Sequence, residues 1–95
     1  MIRVLIERRI AEGLEHYYDS TVKRTITQVV SAPGCIAGES LKDTLDPQRR
    51  IILSKWETLA HWEAWLNSDE RKQVIAELSP LLEGQERITL LVHTR

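Results

Sequence analysis

Two segments of the chain carry large aliphatics at consecutive rather than alternate positions: Ile51-Ile52-Leu53 and Leu90-Leu91-Val92. Neighbouring residues of a strand point to opposite faces, so each segment offers apolar surface to both sides of the sheet it joins. A fold built on such strands needs two coverings, one on each face. The rest of the chain determines what can supply them.

Ile2, Val4, Ile6 and Ile10 alternate with Arg3, Leu5, Glu7 and Arg9, which is the period of a strand, with Leu5 on the face opposite its apolar neighbours. Ala11-Glu12-Gly13 turns the chain. Leu14, Tyr18, Val22, Ile26, Val29 and Val30 then recur at steps of three and four, the stripe of a long helix that Ser31-Ala32-Pro33-Gly34 ends. Cys35 to Asp43 reads as a second strand, Leu45-Asp46-Pro47-Gln48 as a turn, and Arg49 to Trp56 as a third strand in hairpin with the second. Thr58 and Ser68 are both suited to cap helices, the first over Leu59 to Leu66. The second opens on Asp69 and Glu70, carries Val74, Ile75 and Leu78, and is interrupted at Ser79-Pro80. Arg87 to His93 makes a fourth strand, with Ile88, Leu90 and Val92 on one side and Leu91 on the other.

The order β-α-β-β-α-β predicts one α+β domain over residues 1–95, a ferredoxin-like four-stranded antiparallel sheet with its helices on one face. The other face is left with aliphatics and no helix to cover it, which a soluble monomer seldom tolerates. A second copy of the chain is the most economical cover, through two-fold symmetry. Burying ~400 Å² of apolar surface per chain would contribute about 10 kcal/mol gross, before the costs of association.

Composition narrows the function. The chain has 95 residues, a net charge of −1 and basic residues spread among acids, so it lacks the electrostatic footprint of a nucleic-acid binder and the polybasic helix of a membrane-surface protein. Charges interrupt the apolar run of the first strand, unlike a secretory signal or a membrane span. Cys35 is the single cysteine, so no internal disulfide can form, which points to a reducing, cytoplasmic setting. His16, His61 and His93 have no metal-ligand spacing, and no glycine-rich phosphate loop is present.

The chemistry-bearing stretch is Lys55 to Arg71, which holds Trp56, Trp62, Trp65 and His61. On a helical wheel Leu59, Trp62 and Leu66 share the core face, and Trp65 lies on its shoulder one turn beyond His61. The indoles either fill core or, with Tyr18, line a ligand cavity beside His61. An imidazole with its ordinary pKa of about 6.5 can accept a proton at neutral pH, although the wheel sets His61 on the solvated side of the helix. Glu7 and Arg50 read as facing charges on neighbouring strands.

The runs Ala32-Pro33-Gly34-Cys35-Ile36-Ala37-Gly38-Glu39-Ser40, Ile51 to Thr58 and Ala60 to Ser68 resemble the antibiotic biosynthesis monooxygenase family, most specifically between Trp56 and Arg71. The resemblance implies a dimeric α+β barrel made of two ferredoxin-like sheets packed face to face. It also implies oxidation of quinols, polyketide phenols or haem, commonly without flavin or metal, because an electron-rich phenolate can itself reduce dioxygen. Such chemistry needs a dry cavity, a base for the phenol and a donor to steady a peroxide. Haem-degrading members resemble the chain at Trp65, but they carry a histidine where it has Ile75 and an asparagine on the first strand; Asn67 is the chain's only asparagine, which argues against haem. Polyketide-type members place an asparagine one turn before a tryptophan, where this chain has His61 and Trp65. Quinol-oxidising members resemble the Ala60-His61 and Glu63-Ala64 steps but have histidine at Trp65.

Two functions follow as expectations. The first is a cofactor-independent monooxygenase acting on a small phenol or quinol, with His61 and Trp65 catalytic and Tyr18, Trp56 and Trp62 binding substrate in a chamber roofed by indoles. The second is a non-catalytic dimeric module that binds a small apolar or aromatic ligand.

Overall fold

The structure is a computed structural model that describes residues 1–94. Strand β1 (Ile2–Arg9) leads into helix α1 (Glu15–Val30), the hairpin β2 (Cys35–Lys42) and β3 (Arg49–Trp56), helices α2 (Leu59–Leu66) and α3 (Asp69–Leu78), a short 3-10 turn at Ser79–Leu81, and β4 (Arg87–Val92). The strands form one antiparallel sheet in the order β2-β3-β1-β4. This is the ferredoxin-like α+β arrangement that the order of elements predicts. Its second helical arm is split in two, because the Thr58 and Ser68 hydroxyls each accept a backbone N–H three residues on, from His61 and Arg71 respectively.

Register decides which residues face the helices. Val4 pairs with Ser54, Ile6 with Ile52 and Ile2 with Trp56, and this face packs against Tyr18 and Val22 of α1, Trp62 and Trp65 of α2, and Val74 and Leu78 of α3. The opposite face presents Leu5 beside Leu53, Leu41 beside Ile51, and Leu91 beside Arg3. Its aliphatics are half-buried or exposed. The two-sided character of Ile51-Ile52-Leu53 is thus realised, with Ile52 in the core and its neighbours on the bare side.

Two expectations about position are corrected, and one about side holds without burial. Leu90 and Val92 do face the helix side, opposite Val4 and Ile2, yet are 48% and 70% exposed because β4 is the edge strand, while α1 and α2 pack over β2 and β3. Leu59 is 44% exposed rather than core, since α2 turns the arc between Trp62 and Trp65 to the sheet. Glu7 and Arg50 do not face each other: Glu7 lies opposite Ile51 and binds Arg49 at 2.8 Å on the bare face, whereas Arg50 lies opposite Arg8 on the covered one.

Candidate functional site

Helix α2 has eight residues and buries Trp62 and Trp65, the latter 7% exposed. With the arc between those two indoles as the buried direction, His61 and Leu66 fall about 70° to either side of it at about 100° per residue. Both are half-buried. A wheel centred on Leu59, Trp62 and Leu66 is rotated from this by about 60° and sends His61 to solvent.

The loop after α1 makes a seat for the imidazole. Gly34 has φ +82°, and a Cβ at that position would overlap the His61 ring, so both backbone conformation and close approach require glycine. The loop is tied to the start of α2, because the Glu57 N–H donates to the Gly34 carbonyl at 2.8 Å. On its other side the His61 Nδ1 lies 2.7 Å from Thr58 Oγ1, the hydroxyl that also caps α2. One threonine therefore sets both the helix start and the ring's orientation. When Nδ1–H donates to that oxygen, Nε2 is left with a lone pair to accept a proton.

His61 and Trp65 share a cleft of about 620 Å³ between the end of α1 and α2, which Gln28, Pro33, Ala64 and Ser68 also line. Trp65 has a second exposure. On its inner side it borders a cavity of about 30 Å³ between helices and sheet, lined by Trp62, by aliphatics such as Val22, Ile52 and Val74, and by Arg8 and Arg71. A space of that size holds about two waters, whereas an apolar void of about 150 Å³ is what admits benzene. The enclosed chamber anticipated under the indoles is therefore nearly filled, and the room for a ring lies in the open cleft.

Of the residues singled out in the sequence, the structure brings His61 to Trp65 in the cleft and Trp62 to Trp65 at the inner cavity. Trp56 and Tyr18 border neither space. Trp56 is fully buried, donates Nε1–H to Ser54 Oγ at 2.9 Å and meets Trp62 edge-on at 5.6 Å. Tyr18 is fully buried as well: its hydroxyl accepts from Arg8 Nη1 at 3.2 Å, and the Arg50 guanidinium lies 5.6 Å from its ring centroid. The Cys35 thiol is held above its ordinary pKa by burial, as befits an inert sulfur.

Sequence reasoning passed over a cluster of buried charge. Arg8 Nε donates to Glu86 Oε2 at 3.0 Å, and the other oxygen of Glu86 accepts from Arg71 Nη2. Arg71 also lies over Trp62, 6.0 Å from the ring centroid. Beside them Arg50 pairs with Asp19 and donates Nε–H to the Pro47 carbonyl at 2.7 Å. The signal was available, because Arg8 sits in the inward series Val4, Ile6, Arg8, Ile10 and Arg50 in the inward series with Ile52 and Ser54.

The same fold recurs widely. A crystal structure of an antibiotic biosynthesis monooxygenase superposes with a TM-score of 0.90 over 100% of both chains at 13% identity, which shows likeness of fold alone. Among curated proteins, Protein SchA of Streptomyces halstedii is 26% identical over 83 residues, 87% of this chain but 22% of its own length. The 42.8 kDa protein in the whiE locus of Streptomyces coelicolor is 24% identical over 78 residues, 82% of this chain and 20% of its own length. The chain thus spans about a fifth of each curated relative it matches. The family model for antibiotic biosynthesis monooxygenase matches residues 1–77, from β1 into α3, and the chain belongs to that family.

Proposed function

We propose that the chain is a cofactor-independent monooxygenase that oxidises a small phenol or quinol with dioxygen in the cleft between α1 and α2. The observation that carries this reading is the placement of the His61 imidazole and the Trp65 indole on the wall of one cleft large enough for an aromatic ring. His61 Nε2 takes the phenolic proton while Thr58 holds Nδ1, and the indole supplies a flat apolar surface for the ring. The phenolate passes electrons to dioxygen and a ring carbon bonds to it, giving a peroxide. Loss of water leaves a carbonyl at that carbon. One phenol and one dioxygen become one quinone and one water, so all four electrons come from the substrate and no other reductant enters.

The peroxide needs a donor, and the cleft's own hydrogen bonds narrow the choice. Ser31 Oγ–H is spent on the Thr27 carbonyl at 2.7 Å and Ser68 Oγ–H on the Trp65 carbonyl at 2.6 Å. The Gln28 carboxamide, also on the cleft wall, is the donor we assign. The reading includes a second copy of the chain packed on the bare sheet face, since Leu5, Leu41, Ile51, Leu53 and Leu91 form an apolar patch there. Among the described residues no helix is long and apolar enough to cross a membrane, and the single cysteine fits a reducing cytoplasm.

A quinol panel in an oxygen electrode tests the chemistry. Uptake should fall by about 10²-fold or more in His61→Ala, the scale of a lost general base, and should also fall in Trp65→Ala. One observation favours a second reading. The inner cavity of about 30 Å³ is too small to seal a ring from water, which suits a non-catalytic module that holds a small aromatic ligand at the cleft. That module would show no oxygen uptake across the panel, together with a raised melting temperature in the presence of an aromatic ligand.

A further inference from the structure

The covered face of the sheet holds more positive charge than its carboxylates answer. Among the described residues Arg8, Arg50 and Arg71 pair with the carboxylates of Glu86 and Asp19 alone, and Arg8 and Arg71 share that of Glu86. The shared set is well removed from water, with side-chain exposures of 5% for Arg8, 11% for Arg71 and 14% for Glu86. A guanidinium presents five N–H groups in a planar fork suited to a carboxylate. Among the described residues, Arg71 directs one nitrogen to Glu86 and its Nε and Nη1 to no side-chain acceptor. Both Arg8 and Arg71 border the inner cavity, whose other wall is Trp65.

We infer that Arg71, backed by Arg8, receives an anionic substituent of the aromatic ligand, so that the substrate is a phenol or quinol carrying a carboxylate rather than a neutral one. The aromatic part of the ligand rests on the function proposed above; the anion site rests on the charge cluster. The two fit together in size. A space that holds about two waters takes the two oxygens of a carboxylate and excludes a ring. Trp65 lines both spaces, so the proposed ligand holds its ring on the His61 side of that indole and its substituent on the arginine side. A purely structural role for the cluster explains the Arg8–Glu86 pair, which pins β1 to the segment entering β4. A structural role also ties α3 to that segment through Arg71 and Glu86, but it leaves Arg71 Nε and Nη1 without a side-chain acceptor, among the described residues, at the lining of a cavity. An anion entering there completes the charge balance in surroundings of low dielectric, where the attraction is strong.

The test is a matched set of ligands titrated calorimetrically without oxygen: hydroquinone, 2,5-dihydroxybenzoate and the methyl ester of 2,5-dihydroxybenzoate. The acid should bind at least about tenfold more tightly than either neutral compound, about 1.4 kcal/mol. Arg71→Gln should bring the three to parity, Arg71→Lys should retain part of the preference, and Glu86→Gln should strengthen binding of the acid alone by removing the competing carboxylate. Thermal melting of each variant identifies any that fails to fold, and Arg71→Met, which keeps the length of the stem without the charge, then serves in place of Arg71→Gln. Parity in the unaltered protein, a preference that survives in Arg71→Gln, or no binding of the acid would each overturn the inference. Preference for the acid without oxygen uptake sustains the anion site and overturns the monooxygenase reading alone.

Discussion

The two faces of the sheet are furnished against habit. Under the helices, where apolar residues are the rule, β1 and β3 place Arg8 directly opposite Arg50. On the bare side, where charge is the rule, the same two strands place Leu5 opposite Leu53. Like charges facing each other across a strand pair are unfavourable, and burying them is more so. Each arginine therefore has its own answer from the helical layer or from the segment before β4: Asp19 for Arg50, Tyr18 and Glu86 for Arg8. The leucines of the bare side have no such cover among the described residues. One face is packed under the chain's own helices and carries a polar cluster beside a cavity; the other is bare.

The sharpest way to break this contrast is to put charge on the bare face. Leu53→Asp should leave the monomer folded, because Leu53 is on the side opposite the core, while separating a dimer into monomers at micromolar concentration. Burial of a charge without a partner sets the scale of this loss. Sedimentation or light scattering reads it directly, and an unaltered protein that is already monomeric at that concentration removes the proposed dimer.

Next in size is the buried cluster. Arg8→Ala removes one of the two guanidinium partners of Glu86 and the donor to the Tyr18 hydroxyl; because Arg71 still holds Glu86, the cost should be about 2–3 kcal/mol, the scale of interior polar groups that lose a partner. Arg49→Ala is the control on the other face. Arg49 binds Glu7 at 2.8 Å and Asp43 at 3.3 Å with a side chain that is 44% exposed, so its removal should cost no more than about 1 kcal/mol. Denaturant unfolding of the two variants compares them. Equal costs would mean that burial does not separate the two networks.

How much of this was legible in the residues differs between the faces in the same way. Strand order, helix limits, the caps at Thr58 and Ser68 and the two-sided strands all follow from local periodicity and capping chemistry, which depend on neighbours a few residues apart. The seat of His61 does not. It depends on Gly34 meeting α2 from 27 positions away, and on α2 turning toward Trp65 instead of Leu59, a choice made by packing rather than by the wheel. The arginines were misread for a related reason. Strand alternation puts Arg8 and Arg50 inside, but a charge at an inward position is read as an exception until a distant partner such as Glu86, 78 residues from Arg8, is known.

A smaller effect separates helix capping from ring positioning at Thr58. Thr58→Ala should lower stability by about 1 kcal/mol through loss of the cap, and it also frees the His61 ring. Thr58→Asn can cap the helix, yet its side chain has a different reach toward Nδ1, while Thr58→Ser keeps both functions. If the hydroxyl positions the base, oxygen uptake should follow the series Ser above Asn above Ala, whereas melting temperature should group Asn with Ser. Uptake that tracks melting temperature alone would reduce Thr58 to a cap.

The smallest effect lies at the rim of the bare face, where Asp43 joins Arg49. The backbone N–H of Leu45, more than the Arg49 guanidinium, holds the Asp43 carboxyl below its ordinary pKa. A carboxylate whose pKa is depressed by folding adds stability above the ordinary carboxylate range, and that contribution is lost as pH falls through the depressed value. Asp43→Asn should therefore lower the melting temperature slightly near neutral pH, and the difference should shrink as pH falls below the ordinary carboxylate range and through the depressed value. Because the Asp43 carboxylate reaches solvent, added salt should shrink the Arg49 part of the difference and leave the Leu45 hydrogen bond, the larger cause, in place. A difference that stays constant as the pH falls would show that the aspartate matters for the shape of the β2–β3 turn and not for its charge.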